Sequence, residues 1–339
     1  MLEKPLVSIV VSLWKQERHI DACVRSILSQ TYPHIEVVFV DNNASKKVIE
    51  KVTPYLSNKS GSTFRLVHEP VQGIASARSR GVLEAEGEFV AFLDSDDLMV
   101  PERIALQVES LQAVSGASMA VCLYDFISPE GDHVLTKGWF PRPEMWARLL
   151  LGKGFDPGTP FYDSHPSTML FSRRTALEVG LFDLRFNPFW YEDSEFSLRM
   201  HMKGPIQLVN ESLVSIRRTS EEYKKVREGQ VDWVRFKNTD LFFQILVNHF
   251  DSKDFRFRKC FSKIRSRWLL EQSYVYFLSR GGRRLGMAML LRSLRENPLN
   301  IKSVSSIFQR IIHQGERLNS PEIPTEYASI EYVNRRFLK

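Results

Sequence analysis

The amino-acid sequence predicts an α/β protein, built on a mostly parallel sheet flanked by helices and continued by a helical, basic C-terminal appendage. Three observations predict it. Short apolar runs rich in β-branched residues alternate with helically spaced stripes over the first ~125 residues, as in a parallel sheet with helices on both faces. Those runs close on polar or acidic residues, where such a sheet presents its carboxyl ends. Beyond Glu221 the periodicity is almost wholly helical, and Lys and Arg are frequent. A chain of 339 residues, 43% hydrophobic and 25% charged, is long enough to bury a sizeable core.

The elements follow in order. Val7-Ser8-Ile9-Val10-Val11-Ser12-Leu13 is a short β-branched run suited to a buried strand. Ile20, Cys23, Val24, Ile27 and Leu28 then form one helical stripe, which Tyr32-Pro33 ends. Ile35 to Val40 is a second strand, closed by Asp41-Asn42-Asn43, and Phe64 to Val67 a third. Gly73 to Glu84 reads as a helix, and Glu88 to Leu93 as a fourth strand running into Asp94-Ser95-Asp96-Asp97. Pro101 suits a first helical turn, with Ile104, Val108 and Leu111 on one face. From Val121 to about Arg218 the pattern is irregular. Strand-like pieces lie at Thr168 to Phe171 and Leu213 to Ile216, and the spacing of Phe196 and Met200 predicts a helix beginning near Asp193. The expected division is residues 1–220, with halves at 1–125 and 126–220, followed by 221–339.

Composition excludes several classes. The formal net charge of +6 favours anionic partners without choosing among nucleotide diphosphates, nucleic acids and anionic lipid. No nucleic-acid-binding motif accompanies that charge, so no nucleic-acid partner is expected. Cys23, Cys122 and Cys260 are odd in number and far apart, which offers neither a disulfide framework nor a zinc spacing. The N-terminus runs straight into a strand, unlike a signal peptide, and no run approaches the ~20 apolar residues of a membrane helix. A cytoplasmic location is expected, with room for peripheral contact at the inner membrane face. A Gly-x-Gly-x-x-Gly turn after the first strand and a Gly-x-x-x-x-Gly-Lys loop are both missing, which disfavours dehydrogenases and phosphoryl-transfer enzymes.

Two acidic groups carry the chemistry. Asp94-Ser95-Asp96 ends a buried strand at a turn, where carboxylates two apart can converge on Mg²⁺ or Mn²⁺. A solvated acidic turn capping the next helix is the commoner explanation of such a triplet taken alone. Glu192-Asp193 opens a helix, where Asp193 is either a helix cap or a general base.

The order of these blocks resembles family 2 glycosyltransferases. The resemblance runs through Val7-Ser8-Ile9-Val10-Val11, Ser26-Ile27-Leu28-Ser29-Gln30-Thr31-Tyr32 and Val40-Asp41-Asn42-Asn43. It continues through Gly73-Ile74-Ala75-Ser76-Ala77-Arg78-Ser79-Arg80-Gly81 and Phe92-Leu93-Asp94-Ser95-Asp96-Asp97, then Gly180-Leu181-Phe182-Asp183 and Glu192-Asp193. It covers roughly residues 5–220. It implies a GT-A-type, Rossmann-like fold and an inverting, metal-dependent transfer from a nucleotide-diphosphate sugar, most often a UDP-sugar, to an acceptor hydroxyl in cell-surface glycan or glycolipid assembly. The alternative is a catalytically degenerate nucleotide-sugar or glycan binder of the same fold.

Carried over by position, the resemblance implies that Asp96 ligates Mg²⁺ or Mn²⁺, with Asp94 at the metal or the ribose, and that Ser95 lies beside the donor. Asp41 would contact the donor's base or ribose, though it equally suits a turn that its own side chain caps. Glu17 falls at an acidic donor-side position, or serves the first turn of a helix. Arg78 would touch phosphate, and Gly73 belongs to the same donor-facing block. Asp193 would be the base and Glu192 would position it or the acceptor. Ser12 stands where many members have proline and Lys15 where many have asparagine, with Trp14 at an aromatic position between them. Ser79 and Lys46-Lys47 also depart from the pattern, so base and sugar specificity stay open. Arg217-Arg218 stands where some members place a histidine after the last strand, and suits a diphosphate or solvent. His165 reads as structural. Trp190 and Tyr191 are the aromatic residues best placed to face a sugar ring. The basic residues Arg256, Arg258, Lys259, Lys263, Arg265, Arg267, Arg283 and Arg284 suit a helix lying on anionic membrane beside a lipid-linked acceptor, or a merely solvated face.

Overall fold

The structure, a computed structural model, describes residues 4–57, 63–135, 165–188, 191–217 and 282–296, with separate helical positions between 237 and 277. The described residues up to 217 belong to one compact unit and those from 237 onward to another.

The first unit is one nine-stranded sheet with helices. Its strands are β1 (Val7–Leu13), β2 (Ile35–Asp41), β3 (Thr63–His68), β4 (Phe89–Phe92), β5 (Leu98–Met99), β6 (Met119–Ile127), β7 (His133–Leu135), β8 (Leu170–Ser172) and β9 (Ile206–Arg217). The helices are α1 (Ile20–Leu28), α2 (Lys46–Leu56), α3 (Ile74–Glu84), α4 (Arg103–Gln112), α5 (Arg173–Glu178) and α6 (Glu192–Lys203). Strand order is β3-β2-β1-β4-β8-β6-β9-β5, with β7 paired to β6.

The first four strands in that order are parallel throughout. Beyond β4 the ladders are mixed: β8 is antiparallel to β4 and to β6, β9 is parallel to β6, and β5 is antiparallel to β9. The mostly parallel sheet predicted from the first ~125 residues corresponds to β3, β2, β1 and β4, and the strands beyond β4 make the ladders mixed. The supposedly irregular stretch in fact holds β6 and the long strand β9. Most of β6 is buried, so its residues are apolar without alternation from Met119 to Leu123 before Asp125 interrupts them, a pattern that periodicity alone does not assign to a strand. The strand-like piece at Thr168 to Phe171 divides into a 3₁₀ turn, Pro166–Thr168, followed by β8.

Ile20, Cys23, Val24 and Ile27 bury one face of α1 against the sheet, but Leu28 is exposed. Eight residues from Ile20 turn a helix about 80° past the stripe, whereas seven return within about 20° of it. Helix α2 gave no clear stripe, because only Val48 and Val52 are buried and Pro54 lies inside it. It starts at Ser45, whose side chain caps the Val48 N–H.

Helix α6 is held to the sheet by aromatic packing. Phe196 stacks on Phe182 at 4.2 Å between centroids and meets the edge of Phe171 at 5.3 Å. Phe92 at the end of β4 completes the cluster, 5.2 Å from Phe171 and 5.6 Å from Phe182. Each such ring contributes roughly 1.5–3 kcal/mol by burial, so Phe196→Ala would loosen the helix that carries Glu192 and Asp193. Beneath the acidic turn, the fully buried Arg103 donates to the carbonyls of Phe92 and Met169, both at 3.1 Å, and to Gln107 Oε1 at 3.0 Å. Gln107 in turn donates to Ala120 O and Thr168 O. One helix face therefore satisfies the backbone where β4, β6 and the 165–169 segment meet.

In the second unit, the helix Arg283–Glu296 buries Leu285, Gly286, Met289, Leu290 and Ser293. Ser293 and Ser266 exchange hydrogen bonds at close backbone approach. Arg283 and Arg284 are exposed. The other basic residues read as a membrane-facing set, Arg256, Arg258, Lys259, Lys263, Arg265 and Arg267, lie outside the described residues. Among the described residues no helix is long and apolar enough to cross a membrane.

Candidate active site

Parallel strands β1, β2 and β4 end along one edge, and the sequence-predicted residues gather there. On the β2 side, Asp41 pairs in register with Leu13 of β1 and His68 of β3. Its Oδ1 accepts from the Ala44 N–H at 2.8 Å, and His68 Nδ1 lies 3.4 Å from Oδ2. Asp41 therefore does cap its own turn, and a quarter of its side chain stays exposed. Ser12 is half-buried near the end of β1. Trp14 follows, 47% exposed, with the Lys15 ammonium 4.6 Å from its ring centroid. The Trp14 carbonyl accepts from the Ser45 N–H, and the Ser45 hydroxyl donates to Glu17. That hydrogen bond holds the Glu17 carboxyl below its usual range. Glu17 precedes α1, so it ties the β1 loop to the start of α2.

The turn after β4 is more enclosed. Ser95 and Asp97 are buried, while Asp94 and Asp96 are half-buried. The Ser167 hydroxyl accepts from the Asp94 N–H at 3.0 Å and donates to Asp97 Oδ2 at 2.6 Å. Asp97 Oδ1 accepts from the Arg217 N–H at 2.9 Å, and Arg217 Nε donates to the Asp96 carbonyl at 3.0 Å. Arg217 Nη1 also reaches the carbonyls of Ser128 and Pro129 at 2.9 Å. Arg217 is thus buried and bonded to backbone, and its hydrogen bonds replace the solvated-pair reading. Arg218 lies outside the described residues.

This turn suits a hard divalent cation. One ligand atom each from Asp94, Asp97 and His165 lies within 4.8 Å of the others. Burial, then the charges of Asp96 and Asp94, push the Asp97 carboxyl well above the usual carboxylate range. Such crowding of negative charge is what a bound cation relieves. Asp97 commits both oxygens to Ser167 and Arg217, so its part is to shape the turn. His165, read from sequence as structural, sits beside the carboxylates with its pKa lowered by burial. The sequence offered one signal for Asp97, its place in the acidic run, and none for His165 or Ser167.

Arg78 joins this turn to α6. It is buried on α3; Nη1 donates to Glu192 Oε1 at 2.7 Å and Nη2 to Asp94 Oδ1 at 3.1 Å. Burial opposes ionisation of Asp94, yet the Arg78 guanidinium holds its pKa below the ordinary value. Glu192 behaves differently. Burial, then the negative charge of its neighbour Asp193, raise its pKa to about 7 against the pull of Arg78. Its second oxygen, Oε2, is buried without a hydrogen-bond partner among the described residues. Asp193 is half-buried and is the second residue of α6, not its cap; the capping position is Tyr191, which makes no side-chain cap. Trp190 lies outside the described residues. Gly73 sits at φ +143°, its N–H donating to Asn42 Oδ1 at 2.9 Å.

Comparison with known proteins places this arrangement. The sequence profile of Glycosyl transferase family 2 matches residues 8–176. WfgD of Escherichia coli, a UDP-Glc:alpha-D-GlcNAc-diphosphoundecaprenol beta-1,3-glucosyltransferase, is 34% identical over 150 residues, 44% of this chain and 56% of that protein. WfaP of Escherichia coli, described with the same activity, is 27% identical over 235 residues, 68% of this chain and 82% of that protein. The chain spans only 56–62% of the length of WfgD and two Bacillus subtilis glycosyltransferases that it also matches. In fold it is similar to the mannosyltransferase PcManGT from Pyrobaculum calidifontis, solved with GDP-Man and Mn²⁺. The TM-score is 0.56 at 16% identity, covering 94% of this chain and 82% of that one. The fold is of the GT-A type, and through the domain that bears this site the chain belongs to glycosyl transferase family 2.

Proposed function

We propose that the chain is an inverting, divalent-metal-dependent glycosyltransferase that moves a sugar from a UDP-sugar to an acceptor hydroxyl in cell-surface glycan assembly. The observation that carries this reading is Arg78, which bonds Asp94 on the donor side and Glu192 on the acceptor side. One buried cation thereby sets the distance between a cation-binding turn and a pair of carboxylates. A non-catalytic binder has no need of that coupling.

Asp96 and Asp94 would hold Mg²⁺ or Mn²⁺, which when bound neutralises charge on the leaving diphosphate. The remaining work falls to side chains. Trp14, Asp41, Glu17 and Ser12 line the ends of β1 and β2, where the donor's nucleoside would lie. Asp193 takes the proton of the acceptor hydroxyl as its oxygen bonds the anomeric carbon and the bond to the diphosphate breaks. Attack from the face opposite the leaving group inverts that carbon. Glu192 Oε2, buried and without a hydrogen-bond partner among the described residues, would orient the incoming hydroxyl.

A UDP donor is supported by the named activities of WfgD and WfaP, and a lipid-diphosphate-linked acceptor by the same names. Exposed Arg283 and Arg284 would suit peripheral contact with the anionic membrane carrying it. The test is calorimetric titration with UDP, GDP and other nucleoside diphosphates, with Mn²⁺ and with chelator, on wild type and Asp96→Ala. Metal-dependent binding of UDP that Asp96→Ala abolishes is the expected result. Absence of binding by every nucleotide would overturn the donor site.

A further inference from the structure

The start of α3 is fastened to the loop before α6 by the Asn187 side chain and the Pro188 carbonyl. Asn187 Oδ1 accepts from the Ala75 N–H at 3.1 Å and the Ser76 N–H at 3.4 Å, and Nδ2 donates to Ser76 Oγ at 2.7 Å. The Ile74 N–H meanwhile donates to the Pro188 carbonyl at 2.9 Å. Gly73, the residue before α3, supplies no side-chain cap of its own. The first three amides of α3, which would otherwise lack acceptors, are thus satisfied from a segment more than a hundred residues away. The carboxamide lies where a Gly73 side chain would be, since a Cβ there would collide with Asn187. Absence of a side chain at position 73 is therefore a condition of the contact.

What this contact holds matters for the site. Asn187 is four residues before Tyr191, which enters α6 in a left-handed conformation at φ +70°. A non-glycine residue keeps that conformation only where its surroundings over-determine it. Helix α3 carries Arg78 and α6 begins with Glu192, so the two helices bonded by Asn187 are those joined by the Arg78–Glu192 pair.

We propose that Asn187 is a positioning residue: its carboxamide, seated on Gly73 and capping α3, sets the entry of α6 and so holds Glu192 and Asp193 against Arg78. The proposal rests on the transferase reading for its kinetic consequence but not for its structural one. Asn187 acts through the first turn of α6.

Two variants test it, Asn187→Ala and Asn187→Asp. Aspartate keeps an acceptor for the α3 amides and favours the helix N-terminus, while losing only the donation to Ser76. Hydrogen exchange over residues 74–84 and 191–203 would be measured in each, with kcat, donor KM and the pH profile of transfer. In Asn187→Ala, exchange should rise at the start of both helices. Its kcat should fall roughly tenfold to a hundredfold, the scale of an ångström of misplacement, with donor KM nearly unchanged and the inflection assigned to Glu192 displaced. Asn187→Asp should restore protection and most of kcat. Unchanged exchange at the start of α6 in Asn187→Ala would overturn the proposal, as would an equal loss in both variants tracking thermal stability alone. If the wild-type protein transfers no sugar, the transferase reading fails, and the exchange comparison alone decides the coupling.

Discussion

Nη1 of Arg78 donates to Oε1 of Glu192 at 2.7 Å, with both side chains buried. Removing one partner of such a pair costs more than the pair contributes, because it leaves the other charge uncompensated. Arg78→Met should therefore destabilise the domain by about 3–5 kcal/mol where Glu192 is ionised. The loss should shrink in mild acid, since Glu192 can then take a proton. Urea midpoints at pH 8 and pH 6 check this, and an equal loss at both would show that Glu192 is not the group left behind.

Glu192 also predicts a pH dependence of stability. Its folded pKa of about 7 lies above the ordinary glutamate value of 4.5. Between those values the folded state binds more protons than the unfolded one, so stability falls as pH rises through the window. The contribution is complete below pH 4.5 and gone above pH 7, and is on the order of 3 kcal/mol at most. Glu192→Gln should flatten that part of the stability profile. If Glu192 orients the acceptor hydroxyl, the variant should also remove from the transfer rate an inflection near neutrality, where the wild-type rate should rise as Glu192 ionises.

Legibility in the sequence followed the physics of each element. Strands β1, β2 and β4 could be read because each is a short, buried apolar run followed by a helical stripe or an acidic turn, Asp41 closing β2 and Asp94 following β4. Strand β6 could not: Asp125 interrupts its apolar stretch, and the sequence after it offers no helical stripe like those that follow β1 and β4. Asp94, Glu192 and Arg78 were each visible as single residues in ordered blocks. Their mutual contact was not, because it joins positions 114 residues apart through a guanidinium that reads equally well as a solvated helix residue. Asn187 carried no signal of its contact: an asparagine before a proline marks a turn, and its bonds to Ala75 and Ser76 join segments more than a hundred positions apart.

A separate acid sensitivity resides on α6. His201 is buried, and burial lowers its pKa to about 4. The unfolded chain takes up its proton near pH 6.5, so here the unfolded state binds more protons. Stability present above pH 6.5 is lost as pH falls toward 4, by on the order of 3 kcal/mol at most. His201 and Glu192 therefore act with opposite signs across overlapping windows. The variant His201→Leu should lose less stability than wild type between pH 7 and pH 5, whatever its stability at pH 7. An unaltered difference between the two midpoints would reject the assignment.

Asp193 and Glu192 are adjacent, but their environments predict separable phenotypes. Asp193 is half-buried near the helix start, whereas Glu192 is enclosed and bonded to Arg78. If Asp193 removes the acceptor proton, Asp193→Asn should lower kcat by roughly 10²–10⁴-fold, the usual contribution of a general base. Metal-dependent nucleotide affinity should be preserved, because Asp193 forms no part of the acidic turn after β4. Glu192→Gln should instead raise acceptor KM together with a smaller loss in kcat, since it weakens orientation while leaving the base in place. Single-turnover transfer, measured beside nucleotide titration for each variant, separates the two. Full transfer by Asp193→Asn would move the base to Glu192, whose pKa near neutrality already suits proton transfer.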